Sequence, residues 1–183
     1  MSTILSYMKR SSHICWGNEF VAEVWSEIFS RICEQCGGRC CHQAHPPLTE
    51  ERIRRISAST DLAGCIEQNG YRRLRVREDG FCIMLNHTRC LINAEKPETC
   101  LAGPFTFDIR DGLLEVYLKK ESICPLVGHL KYYPEAYRHQ YENAVRHLLA
   151  LVKGLPSRDL AEILKVEEPE TEKVAEIPLQ DLL

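Results

Sequence analysis

The sequence predicts an α+β fold: a small cysteine-rich domain of short antiparallel hairpins flanked by helices, with a long C-terminal helix and an extended acidic tail. Three observations carry this reading. Apolar residues from Phe20 to Ile32 recur at the spacing of one broad helix face and lead into a run of cysteines. Phe105, Phe107 and Ile109 alternate towards Asp111-Gly112, and Leu114, Val116 and Leu118 alternate back, the pattern of a hairpin. Tyr133-Pro134 then opens the longest helix, which closes at Gly154.

At 183 residues the chain is long enough to bury a core of its own, and 44% hydrophobic with 27% charged residues is ordinary for a globular protein. A net charge of −3 gives no global sign of a nucleic-acid partner. The charge is uneven: residues 166–183 hold six acids against Lys173, a net of −5, which leaves +2 for the rest. The division expected is a partly ordered N-terminus over 1–18, one cysteine-cluster domain over 19–165 and an extended tail over 166–183. No stretch approaches a membrane span, and the first thirty residues show no basic start with an apolar core of a secretory signal. A cytoplasmic, reduced protein is the expectation, and its ten cysteines then call for a ligand or redox role rather than disulfides.

Taken in order, Cys15 beside Trp16 reads as packing. The first helix places Phe20, Val21, Val24, Trp25, Ile28, Phe29 and Ile32 on one face and delivers the chain to Cys33. Cys33, Cys36, Cys40 and Cys41 put four thiols within nine residues. A Cys-x-x-Cys pair can aim two thiolates at one metal, and Gly37-Gly38 permits the left-handed backbone that a loop around an ion needs. His42 and His45 read as surface loop histidines while thiols are plentiful. Thr49 caps a helix that starts Glu50-Glu51 and turns Ile53 and Ile56 inward. A short helix is expected over 61–68, with Leu62, Cys65 and Ile66 on one face and Gly70 at its end, so Cys65 reads as a small core hydrophobe.

Residues 71–77 alternate as a strand, with Arg73, Arg75 and Arg77 on one face, and Asp79-Gly80 turns the chain into a buried strand over 81–85. Cys82, Cys90 and Cys100 fall at strand ends and loops of this region, Lys96-Pro97 breaks the chain between the last two, and Cys124-Pro125 follows the 105–118 hairpin. The long helix buries Tyr137, Tyr141, Ala144, Val145, Leu148 and Val152, and Ser157 caps a short helix over Leu160, Ile163 and Leu164. The tail joins an acidic, proline-punctuated linker to Ile177-Pro178-Leu179 and Leu182-Leu183. That apolar end predicts docking on a larger protein partner or a second copy, as in a homo-oligomer.

Cys33, Cys36, Cys40, Cys41, Cys82, Cys90, Cys100 and Cys124 are therefore the candidate metal residues. Their order resembles the cysteine-cluster family of the CxxCxxCC type, proteins described as zinc- or iron-chelating, with a related domain in flagellin lysine N-methylases. The matching residues are Cys33, Cys36, Cys40-Cys41, Cys82 with Leu85, Cys90, Lys96-Pro97, Cys100, Pro104-Phe105 and Cys124-Pro125, covering about residues 33–125. Three residues separate Cys36 from Cys40 where the family's commonest form has two, and Lys96 stands where arginine is usual, keeping the charge without the planar fork. The resemblance implies metal binding; the methylase activity does not follow from a shared metal domain.

Only one zinc-type knuckle is present, and the other thiols are single and come from distant loops, so an iron–sulfur cluster is preferred to zinc. A radical S-adenosylmethionine spacing fails, because Gln43 occupies the third place after Cys40, and no Walker loop or glycine fingerprint is present. The function expected is electron transfer or cofactor assembly for a larger partner. The alternatives are a metal-dependent protein-modifying enzyme of the N-methylase kind and a zinc-stabilised binding module. A nucleic-acid role for Arg52, Arg54, Arg55, Arg73, Arg75 and Arg77 lacks interleaved aromatics and is set aside as a solvated face.

Overall fold

The computed structural model describes residues 18–166 and 170–180, and side chains from Trp25 onward apart from Ser26. The expectations for residues 1–17, for the side chains of Phe20, Val21 and Val24, and for Leu182-Leu183 lie outside the described residues. The architecture is α+β, with three small antiparallel sheets set among helices.

Helix α1 (Asn18–Cys36) runs longer than the sequence reading, through both Cys33 and Cys36. Trp25 is buried and packs edge-on to His129, with ring centroids 5.9 Å apart, and stacks on Phe29 at 6.3 Å. That contact fixes the helix end carrying the thiols against α4 (Leu126–Tyr132). Helix α2 (Glu50–Ser57) is capped as expected, Thr49 Oγ1 accepting from the Arg52 amide at 3.1 Å.

The expected helix over 61–68 is not formed. Strand β1 (Ile66–Asn69) pairs with β2 (Tyr71–Leu74), and Gly70, at φ +75°, turns the hairpin instead of ending a helix. Glu67 lies opposite Arg73 in this register and their ion pair closes at 2.7 Å. Cross-strand pairing thus overrides the weak helical pattern. The strand expected over 81–85 is likewise reduced to single bridges, and the pairing moves to β3 (Leu85–Asn86) with β4 (Arg89–Cys90).

After α3 (Glu98–Ala102), strands β5 (Phe105–Arg110) and β6 (Leu113–Lys119) form the expected hairpin. Asp111 and Gly112, both at positive φ, give the turn that matches strand twist. Leu114, Val116 and Leu118 point from this sheet into the main core, against α5 (Pro134–Gly154) through Ala144, Leu148 and Val152. Helix α6 (Ser157–Ile163) follows, with Pro156 rather than Ser157 at its N-cap. A second apolar cluster gathers Leu48, Ile56, Leu74, Cys82, Met84 and Ile92 under α2.

The tail corrects an expectation. Its residues Thr171–Pro178 form β7, antiparallel to β6, and Leu179 is buried in the chain's own core beside Ile177. These apolar residues need no partner or second copy to cover them, because β6 offers an unpaired edge and an apolar face within the same chain. The acidic composition is absorbed locally: Lys173 Nζ reaches Glu115 at 2.9 Å and Glu176 at 2.6 Å, and the Tyr117 hydroxyl donates to Glu115 at 2.6 Å. The Tyr117 hydrogen bond, followed by that of Lys173, holds the Glu115 carboxyl below the usual range. Its support for β7 is therefore present above that range and lost as pH falls through the lowered value. Leu179→Ala should cost about 2–3 kcal/mol in urea unfolding, the price of a buried leucine; a loss below about 0.5 kcal/mol, the level of an ordinary surface change, would mean that the tail contributes nothing to the core. Among the described residues no helix is long and apolar enough to cross a membrane.

Candidate metal centre

Cys33 and Cys36 are one helical turn apart and so share the face of α1 at its last turn. Gly37 and Gly38, at φ +72° and +76°, then reverse the chain into a 3₁₀ turn (Arg39–Cys41) carrying Cys40 and Cys41. Position 38 is also tight: a Cβ there would stand 3.0 Å from Leu85 Cδ2. The loop is stitched to the next cysteine segment by backbone bonds, the Cys82 amide to Cys41 O at 2.9 Å and the Gln43 amide to Gly80 O at 2.7 Å. Cys90 sits on β4 opposite Leu85, Cys100 lies within α3, and Cys124 precedes α4. Arg89 pairs with Glu34 at 3.2 Å, tying the β3–β4 hairpin to α1, and Arg39 donates to Ser122 O at 3.5 Å, tying the 3₁₀ turn to the Cys124 segment.

Six elements or loops far apart in sequence thus bring their thiols into electrostatic reach of one another. Cys40 is the hub: its charge raises the thiols of Cys33, Cys41, Cys82, Cys90, Cys100 and Cys124, and Cys36 acts on Cys33 and Cys124. Cys40 itself is lowered to about 6, first by a hydrogen bond from the Cys41 thiol and then, against the effect of burial, by Lys119 and Lys96. Cys41, the donor, is raised far above the ordinary thiol range. Burial raises Cys33, Cys82, Cys90 and Cys100, and pushes Cys124 up to about 11. Thiols raised in this way give up protons when they ligate, so metal binding at these residues would be coupled to proton release.

The centre lies at the seam between the two apolar clusters. Cys41, Cys82 and Cys90 pack with the second cluster and Cys124 with the main one. Cys33 and Cys100 are exposed, yet burial is the chief cause of their raised pKa. Both line a cavity of about 310 Å³. The donor set is soft and suits zinc or iron. It is gathered but not closed: among the described residues no group of three or more Cys, His, Asp or Glu side chains is arranged to hold a metal ion as it stands.

Cys65 is apart from this constellation. It packs on the second cluster with Leu62 and Ile66, as the sequence suggests. His42 is exposed and packs edge-on to Phe81 at 5.1 Å. The nine described cysteines are free thiols.

Sequence reading noted Lys96 as a chain break and a family residue, and missed its placement beside four of the thiols, Cys33, Cys40, Cys90 and Cys100. It also missed the polar face of α5, where His139, Gln140, Asn143 and His147 line the cavity. The signal was present: these residues recur at helical spacing opposite the apolar stripe.

Short hairpins and helices that bring six thiols within electrostatic reach of Cys40 make the frame of a cysteine-cluster domain. Residues 32–125 match the CxxCxxCC family model, described as a "putative zinc- or iron-chelating domain", and the chain belongs to that family. No curated protein and no solved structure matches the chain.

Proposed function

We propose that this protein carries an iron–sulfur cluster on some or all of Cys33, Cys36, Cys40, Cys41, Cys82, Cys90, Cys100 and Cys124, in a reducing cytoplasm, and serves a larger partner in electron transfer or cofactor assembly. The observation that carries the reading is that single thiols from a helix end, a hairpin and separate loops lie within electrostatic reach of Cys40. A closed zinc site is built more economically from two Cys-x-x-Cys knuckles, and only one is present. A cluster presents iron atoms in several directions and suits ligands arriving from helix end, hairpin and loop alike. When bound it would supply one-electron chemistry. The chain's own residues provide the thiolates, the Lys96 and Lys119 charges that offset them, and the apolar walls that limit water.

The test is elemental. Protein made under iron-replete anaerobic conditions should be brown and contain iron with acid-labile sulfide. Stoichiometric zinc without sulfide would defeat the iron–sulfur reading and leave a zinc-stabilised binding module.

A further inference from the structure

The cavity beside Cys33 and Cys100 is built for more than solvent. At about 310 Å³ it is near the lower end of small-molecule pockets, about 300–1,000 Å³. Phe29, Leu101 and Leu126 form its apolar wall, and no aspartate or glutamate lines it. Lys96 does, and among the described residues no carboxylate pairs with it, since the neighbouring Glu95 is taken by Arg52 at 3.5 Å and Arg55 at 3.0 Å. Gln140 and Asn143 are held in place by donating to Leu101 O at 3.1 Å and 3.3 Å, which leaves their amide oxygens as acceptors on residues that line the same cavity. Burial, with help from Arg52, keeps His147 neutral near pH 7.

We propose that this cavity binds a small hydroxylated monocarboxylate, its carboxylate on Lys96, its hydroxyl among Gln140, Asn143 and His147, and its body against the wall shared with Cys33 and Cys100. A cation is disfavoured by Lys96, and an apolar guest would strand the polar face. A phosphate dianion calls for an arginine fork or several cations, and the cavity offers one ammonium and no arginine. The anion site stands on the cavity itself; only its reach to a bound metal rests on the reading proposed above. A carboxylate there would lie beside the thiol wall, where a metal held by Cys33 or Cys100 could gain an exchangeable ligand.

The experiment is titration of the full metal-loaded chain with lactate, with lactamide as the uncharged control and inorganic phosphate as competitor, metal content being measured on each sample. Lactate should bind saturably and lactamide should not. Lys96→Met should weaken lactate binding by at least about tenfold, as loss of a charge-assisted contact does. Ser30→Leu, which fills the cavity from α1 and replaces no cysteine, should abolish it, with metal content measured on the same sample. Unsaturable lactate binding, equal binding of lactamide, tighter phosphate binding, or indifference to both substitutions would each overturn the proposal. Failure of the metal reading would show separately, in the metal analysis of the same samples.

Discussion

Cys40→Ser is expected to empty the metal centre and unfold the domain at moderate temperature. A hydroxyl cannot serve as the ready thiolate at neutral pH, and Cys40 is the thiol that six others feel. Metal binding and folding share one free energy where ligands come from separated segments, and structural metal sites supply about 10 kcal/mol or more of it. Cys65→Ser is the internal control. It sits outside the thiol constellation, so metal content should stay at the wild-type level, with only about 1–3 kcal/mol lost to an under-satisfied hydroxyl. The measurements are iron or zinc per chain and thermal unfolding of both variants purified side by side. Equal metal loss at Cys65 and Cys40 would show that the division between ligand and packing cysteines is wrong.

The second large effect is expected at Arg52. Its side chain is 5% exposed, as is that of Glu98, and the two meet at 3.0 Å; Thr49 Oγ1 donates to the same carboxylate oxygen at 3.5 Å. Glu98 opens α3, so this pair fastens the Cys100 helix to the N-terminus of α2. Arg52→Met leaves Glu98 buried without its counter-ion and should cost about 3–5 kcal/mol. Adding Glu98→Leu removes the orphaned charge and should recover much of that loss, because the expense is the unpaired ion rather than the missing pair. Urea unfolding of the two single variants and the double variant reads this as a cycle. A double variant no more stable than Arg52→Met would show that the pair's role is packing. Gly154 adds to the same corner: a Cβ there would stand 2.9 Å from Thr49 Cγ2, so the end of α5 is seated on the α2 cap.

Two of the corrections to the sequence reading share a cause. At 61–68 the pattern of Leu62, Cys65 and Ile66 is compatible with one turn of helix, and nothing local reveals that Glu67 will face Arg73 across Gly70. In the tail, acids and prolines read as a linker because its pairing partner β6 lies far back in the chain, Lys119 opposite Thr171 and Leu113 opposite Pro178; both segments are legible only once they are paired.

By itself the sequence determined the α+β class, α1 ending at the thiols, the Thr49 cap, the hairpin across Asp111-Gly112 and the bounds of α5. Each is written in a window a few residues wide, by periodicity, a capping side chain or a turn that needs positive φ. It also marked the eight cysteines, because thiol spacing is a local record of metal chemistry. Tertiary structure alone decided that Cys40 is the hub, that Lys96 faces the thiols, that Arg52 and Glu98 brace Cys100, that α5 turns a polar face to a cavity and that the tail closes the sheet. These depend on which surfaces meet, and the distance at which two charges or two strands lie is set by the packing of every element between them.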